Sequence, residues 1–138
     1  MSDTIPQRAG PNAPLSPHLQ VWRFTVTMAA SITQRIAGVG NAIGLLLFTI
    51  WVASAAMSDA AFASVSGFLA SPFGIFLLFG FTLSFSFHFL NGIRYLFWDA
   101  GHGFDKSFSS KTAWAAFAGS LVMTAVIFFV GFSVHGGA

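Results

Sequence analysis

Three long stretches without Asp, Glu, Lys or Arg constrain this chain more than any other feature of its sequence. They cover residues 36–58, 60–93 and 112–138. Each exceeds the ~20 residues that an α-helix needs to cross the hydrocarbon core of a bilayer. Hydrophobic residues make up 55% of the chain and charged residues only 7%, unlike soluble domains. The sequence therefore predicts an all-α integral membrane protein with three transmembrane helices.

We place the three spans at about residues 31–57, 73–97 and 112–134. Pro72 marks the start of the second span, since proline is tolerated in the first turn of a helix. Residues 1–30 are predicted to form a cytoplasmic N-terminal arm and the start of the first helix, and residues 31–138 a three-helix transmembrane anchor. The arm lacks the apolar core of a secretory signal, so we expect direct insertion from the cytoplasm.

The positive charges predict the orientation. They lie before the first uncharged stretch or between the second and the third: Arg8, Arg23, Arg35, Arg94, Lys106 and Lys111. The positive-inside rule therefore places the N-terminus in the cytoplasm and the C-terminus in the periplasm, across a bacterial cytoplasmic (inner) membrane. The charges form no compact basic patch, so we expect membrane lipids and not nucleic acid as a partner.

His88 is the only histidine inside a predicted span, where an ionisable group is costly and usually functional. Asn91, Gly92 and Tyr95 follow it at helical spacing, and Gly92 leaves room for a flat macrocycle. An imidazole here either ligates haem iron or bonds a neighbouring helix, and the residues alone leave both open. A second haem ligand would most simply come from another subunit, with Met123 as the internal rival.

Polar residues also cluster near the start of the first span. Ser31, Gln34 and Arg35 share a helical face, and Phe24 and Met28 lie earlier on the same side if the helix extends that far. A hydroxyl, an amide and a guanidinium beside apolar side chains suit a quinone, and the arginine also suits haem propionates. The alternative is that Ser31 caps the helix while Arg35 reaches lipid phosphates.

Further along the same helix, Gly40 and Gly44 form a pair of small residues four apart. Such a pair allows another helix or a cofactor to approach closely. The chain has no cysteine, so thiolate-bound zinc and iron–sulfur sites are excluded.

Three segments in order carry a family resemblance. Residues 15–20 read LSPHLQ, residues 31–38 read SITQRIAG, and residues 88–101 read HFLNGIRYLFWDAG. Together they closely resemble the cytochrome b556 membrane-anchor subunits of succinate dehydrogenase, respiratory complex II. The resemblance covers nearly the whole chain from Leu15 onward, although the third helix and the first connection carry no motif.

The resemblance implies a haem site and a quinone site. His88 would be one axial ligand of haem b, and a histidine of a second small membrane-anchor subunit would be the other. The ubiquinone site would use two polar residues and an apolar wall: Ser31 and Arg35, with Phe24, Met28 and Ile32. The iron–sulfur subunit and a tyrosine of the second anchor would complete it.

This chain departs from the family pattern at three positions. Phe24 stands where many relatives have tryptophan, and Gln34 and Tyr95 stand where many have histidines near the haem propionates. Gln34 and Tyr95 can both donate hydrogen bonds, and Arg35 is available beside them, so these three are the candidates for the propionate vicinity. Asp99 lies near the quinone end by sequence, as a proton relay or as part of the loop.

The implied function is electron delivery to a quinone. A flavoprotein subunit would oxidise succinate, an iron–sulfur subunit would pass the electrons on, and ubiquinone would be reduced near Ser31 and Arg35. The chain would be a non-flavin subunit of succinate dehydrogenase (quinone) that does not oxidise succinate itself. Two alternatives remain: an anchor of a fumarate reductase that uses menaquinone, and a haem-free structural membrane anchor.

The charge distribution makes a direct prediction about topology. A reporter that is active only in the periplasm should work when fused after Ala138 and fail when inserted within residues 105–110. The opposite pattern would place Ser31 and Arg35 at the periplasmic face.

Overall fold

The computed structural model describes residues 21–135, in which every regular element is helical. The order is α1 (Val26–Met57), α2 (Asp59–Ala70), α3 (Pro72–Asp99) and α4 (Lys106–His135). Helices α1, α3 and α4 are long and apolar enough to cross a membrane. The prediction of an all-α protein with three transmembrane helices is therefore confirmed. The arm at residues 1–20, including His18, lies outside the described residues.

Helix α1 begins at Val26, earlier than the predicted span at 31. Thr25 precedes it in an extended conformation, and its side chain accepts a hydrogen bond from the backbone nitrogen of Met28 at 3.3 Å. Ser31 therefore does not cap the first helix, because the cap lies well before it. That alternative for Ser31 is wrong.

The connection between the first two spans is itself a helix, which the sequence analysis did not anticipate. Ser58 caps α2 by accepting a hydrogen bond from the backbone nitrogen of Ala61 at 3.1 Å. The indole Nε1 of Trp51 in α1 donates to the hydroxyl of Ser66 in α2 at 3.1 Å, which ties the two helices together. The uncharged stretch at 60–93 covers almost all of α2 and most of the next helix without a break, which had hidden this separate element.

The connection between the second and third spans is short, because both neighbouring helices have strong end signals. Gly101, at φ +81°, ends α3, and the backbone nitrogen of the next residue, His102, donates to the oxygen of Phe97 at 3.0 Å. Asp105 accepts a hydrogen bond from the backbone nitrogen of Phe108 at 2.9 Å. Helix α4 therefore begins at Lys106, before the predicted start of the span at 112.

Small residues let α1 and α3 pack closely. A Cβ atom added at Gly44 would overlap the ring of Phe81, and one added at Gly40 would lie 2.7 Å from the hydroxyl oxygen of Ser84. The same hydroxyl donates to the backbone oxygen of Ala37 at 2.9 Å. The predicted close approach at Gly40 and Gly44 is therefore confirmed, and the approaching element is another helix of the same chain.

Helix α3 packs against α4 through a second set of small and polar residues. Ser86 and Thr124 are almost completely buried, and their hydroxyl oxygens lie 3.4 Å apart. The rings of Phe87 and Phe117 meet at 4.7 Å between centroids. Most large apolar side chains point outward instead, as expected where lipid is the solvent. Helix α3 thus lies between α1 and α4 and sets the position of both.

The packing at Gly44 predicts the effect of a single methyl group. Gly44→Ala should lower the thermal stability of the detergent-solubilised protein, since the Phe81 ring must move, at a cost of about 1–3 kcal/mol. Gly80→Ala in α3 is the matched control, because nothing lies within 4 Å of a Cβ added there. Equal thermal denaturation midpoints for the two variants would contradict the close approach.

Candidate functional site

His88 lies in the second half of α3 with its imidazole half-buried. Its Nε2 atom faces Gly38 of α1, where an added Cβ atom would come within 3.8 Å. Among the described residues, neither ring nitrogen has a hydrogen-bond partner that would explain the imidazole as a link between helices. A ring nitrogen that faces a glycine instead of a polar group is available to a ligand.

The three residues that follow His88 at helical spacing differ in their burial. Asn91 is fully buried, and its side chain bonds Gln34 of α1 and Arg94 of its own helix. Gly92 and Tyr95 stay half-buried, and nothing lies within 4 Å of a Cβ atom added at Gly92. The Tyr95 ring packs against Trp98, with the centroids 5.4 Å apart. The space predicted beside Gly92 is therefore present, and it opens to the outside of this chain.

Gln34 occupies a different place from the one its sequence position suggested. Its Nε2 donates to the backbone oxygen of His88 at 3.3 Å, and its Oε1 accepts from the amide of Asn91 at 3.1 Å. Gln34 therefore links α1 to α3 through hydrogen bonds at the level of His88. Arg35, the next residue, is exposed, so the structure separates two side chains that the sequence had placed on one face.

The chain of hydrogen bonds continues through Arg94 into α4. The Arg94 guanidinium donates to Asn91 Oδ1 at 3.3 Å, to Thr112 Oγ1 at 3.1 Å, and to the hydroxyl and backbone oxygens of Ser109 at 3.0 and 3.3 Å. It also lies 4.0 Å from the ring centroid of Trp98. One buried cation thus joins α3 to α4 and, through Asn91 and Gln34, to α1.

The sequence analysis used Arg94 only as a positive charge that indicates membrane orientation. It missed that Arg94 links α3 to α4. Its exposed fraction is 6%, although Lys and Arg side chains near helix ends usually extend to the membrane surface. A signal was present in the sequence, because Asn91 precedes Arg94 by three residues on one helical face. Ser109 and Thr112 could not be recognised, since only the turn at 100–105 brings α4 alongside α3.

The predicted quinone residues lie at the beginning of α1, on the same end of the bundle as Arg94. Ser31 and Met28 are half-buried, and the remaining predicted residues are exposed: Phe24, Ile32 and Arg35. Neither the Ser31 hydroxyl nor the Arg35 guanidinium has a hydrogen-bond partner between residues 21 and 135. Phe24 precedes the helix and therefore does not share its face as predicted.

A buried polar atom without a partner lies on α1, one turn after Gly38. Asn41 Oδ1 is shielded from solvent and accepts no hydrogen bond within the described part of the chain. Asn41 follows Gly38 by three residues, so it lies on the side of α1 that faces His88. Such an orphaned acceptor in a membrane indicates a partner outside these residues.

A large cavity lies remote from these residues. It has a volume of about 680 Å³ and lies between the later part of α1, α2, the beginning of α3 and the end of α4. Its few polar side chains are already bonded: Trp51 to Ser66, and Thr82 to a backbone oxygen of its own helix. The cavity therefore offers apolar surface, and the hydrogen-bonding groups of the candidate site lie at the opposite end of the bundle.

Three apolar helices around a half-buried histidine define a small helical membrane subunit, and comparison with known proteins identifies its family. The chain belongs to the succinate dehydrogenase/fumarate reductase transmembrane subunit family, whose model matches residues 9–127. The predicted resemblance is thereby confirmed. The predicted location as a multi-pass protein of the bacterial inner membrane agrees with this family and with the three apolar helices.

Similar proteins come from bacteria and from mitochondria. The succinate dehydrogenase cytochrome b556 subunit of Paracoccus denitrificans is 39% identical over 122 residues, which cover 86% of this chain and 94% of that protein. The cytochrome b556 subunit of Rickettsia prowazekii is 27% identical over 114 residues, covering 83% and 89%. The mitochondrial cytochrome b560 subunit of Sus scrofa is 36% identical over 99 residues, covering 68% of this chain and 57% of that protein.

Proposed function

We propose that this chain is the haem b-binding membrane anchor of a succinate:ubiquinone oxidoreductase, respiratory complex II. The observation that carries the proposal is the half-buried imidazole of His88, whose Nε2 faces a glycine inside a membrane-spanning helix. The names of the similar proteins, which are cytochrome b subunits of succinate dehydrogenase, support the same assignment.

The residues around His88 fit a haem group. Nothing lies within 4 Å of a Cβ atom added at Gly92, so there is open space one turn from His88, and Asn41 holds an orphaned buried acceptor one turn from Gly38. When bound, haem b would supply a one-electron redox centre. His88 is the only histidine within the three candidate spans, the last of which ends at Val134, so this chain would give one axial ligand. We infer that a second small membrane-anchor subunit gives the other.

The quinone would bind where α1 leaves the membrane. Ser31 would hydrogen-bond a ubiquinone carbonyl oxygen, and Arg35, one turn later, would stabilise the negative charge that develops on it during reduction. Met28 and Ile32 supply apolar surface beside these two groups, and Phe24 lies just before the helix. The iron–sulfur subunit would deliver the electrons and the flavoprotein subunit would oxidise succinate.

The propionates of the haem would lie near the same end of the bundle. Arg35 and Tyr95 are the main candidates to bind them, because Arg35 is unpaired among the described residues and Tyr95 is half-buried beside the open surface at Gly92. Gln34 keeps one free amide hydrogen, since its oxygen and its other hydrogen are already engaged. It is therefore a secondary contact in this proposal.

Two alternatives are separated from the proposal by simple measurements. A fumarate reductase anchor would co-purify with menaquinone, whereas the proposed anchor would co-purify with ubiquinone. A haem-free structural anchor would give no haem b signal in the reduced-minus-oxidised absorption spectrum of the purified complex. Purification should also recover the flavoprotein, the iron–sulfur subunit and a second small anchor, which mass spectrometry identifies.

His88→Leu tests the haem assignment. The variant should remove the low-spin haem b spectrum or convert it to high spin, because one axial ligand is lost, while the chain still inserts into the membrane. His102→Leu is the matched control, since His102 lies exposed in the loop after α3. An unchanged low-spin spectrum in His88→Leu would mean that the iron is held elsewhere.

Ser31→Ala and Arg35→Leu test the quinone site. Each should lower succinate–ubiquinone activity by roughly ten- to a hundred-fold, since a lost charge-assisted hydrogen bond costs about 1.5–3 kcal/mol. Arg35→Leu should have the larger effect, because it removes a charge as well as a donor. Electron transfer from succinate to an artificial acceptor that reacts with the soluble subunits should remain near normal.

Matched controls exist for both substitutions. Ser133→Ala removes an exposed hydroxyl that bonds only its own helix at the far end of α4, and Lys111→Leu removes an exposed charge at the near end. Normal quinone activity in both Ser31→Ala and Arg35→Leu, with intact assembly, would place the quinone site on the partner chains.

A further inference from the structure

Arg94 is a buried cation, and no residue between 21 and 135 places an anion in its hydrogen-bond shell. Only 6% of its surface is exposed, and it makes four hydrogen bonds. Every acceptor within the described part of the chain is a neutral oxygen, from Asn91, Thr112 or Ser109, and the guanidinium also lies over the face of Trp98. The guanidinium therefore retains an uncompensated positive charge inside the bundle.

The charge of Arg94 lies in the same helix as His88 and close to it. Arg94 follows His88 by six residues of α3, which is about 9 Å along the helix axis. Side chains on a helix lean towards its N-terminus, and the Arg94 fork accordingly reaches back to Asn91, on the His88 side. Screening is weak over such a distance in a low-dielectric interior.

We propose that Arg94 sets the reduction potential of the haem held by His88, acting as a positioning residue through its buried charge and not as a ligand. The inference rests on the proposed function, because it concerns that haem. Reduction by one electron makes the haem site more negative by one charge. A fixed positive charge nearby stabilises the reduced form and so raises the midpoint potential.

The neutral hydrogen-bond chain explains how the charge is held in place. Asn91 spans from Arg94 to Gln34, and Gln34 bonds the backbone oxygen of His88. The cation and the imidazole are thus connected by two amide side chains, neither of which cancels the charge. A carboxylate in place of Asn91 would keep the contact with Arg94, lose the hydrogen bond that Asn91 donates to Gln34, and neutralise the field.

The test is a redox titration of the haem in the purified complex. Arg94→Gln removes the charge and should shift the midpoint potential downward, while the low-spin spectrum of His88-ligated haem persists. Arg94→Lys keeps the charge and should leave the potential near that of the unmodified complex. Lys111→Gln removes an exposed charge at the same end of the bundle and is the matched control, with no shift expected.

A second variant covers the case in which Arg94→Gln does not assemble. Asn91→Asp is nearly isosteric, and it places a carboxylate against the guanidinium nitrogen that now bonds Asn91 Oδ1 at 3.3 Å. It should lower the potential at least as much as Arg94→Gln, because the new negative charge also lies closer to His88. In that case the midpoint potential of the Asn91→Asp complex tests the inference by itself.

Two results would overturn the inference. One is an unchanged potential in assembled, haem-containing Arg94→Gln or Asn91→Asp complexes, which would leave Arg94 as a structural tie between α3 and α4. The other is loss of haem in both charge-altered variants while Arg94→Lys assembles, which would assign the charge to folding. A haem spectrum unaffected by His88→Leu would instead refute the proposed function itself, so the two failures are distinguishable.

Discussion

Lipid offers no hydrogen bonds, so each polar side chain inside this bundle must find its partner within the protein or a bound group. The chain from Gln34 through Asn91 and Arg94 to the beginning of α4 meets this requirement across three helices. It forms at the level of His88, and it fixes how α1 and α4 sit against α3. The positions of the other candidate site residues follow from that arrangement.

Close packing of small residues supports the same arrangement. In a bilayer the helices gain little from hiding apolar side chains, since lipid tails solvate them equally well. Contact at Gly40 and Gly44, and the buried pair of Ser86 and Thr124, supplies van der Waals contact and hydrogen bonds instead. Large side chains are thereby directed outward, where lipid and partner subunits meet them.

The groups left without partners in this packing coincide with the proposed chemistry. His88 Nε2, Asn41 Oδ1, the Ser31 hydroxyl and the Arg35 guanidinium lack hydrogen bonds within residues 21–135. By contrast, Gln34, Asn91 and Arg94 are bonded on several sides. The first group suits ligands and partner chains, whereas the second builds the frame that holds them.

The sequence by itself determined the three membrane spans, the family, and the fact that His88 is the only histidine inside a predicted span. It could do so because length, charge and spacing along one helix are local properties. It did not reveal helix α2, since the uncharged stretch at 60–93 covers almost all of α2 and most of the next helix without a break. Nor could it show that Gln34 turns inward while Arg35 turns out, or that Arg94 is buried against Ser109 and Thr112. Those outcomes depend on contacts between helices, which only the tertiary structure decides.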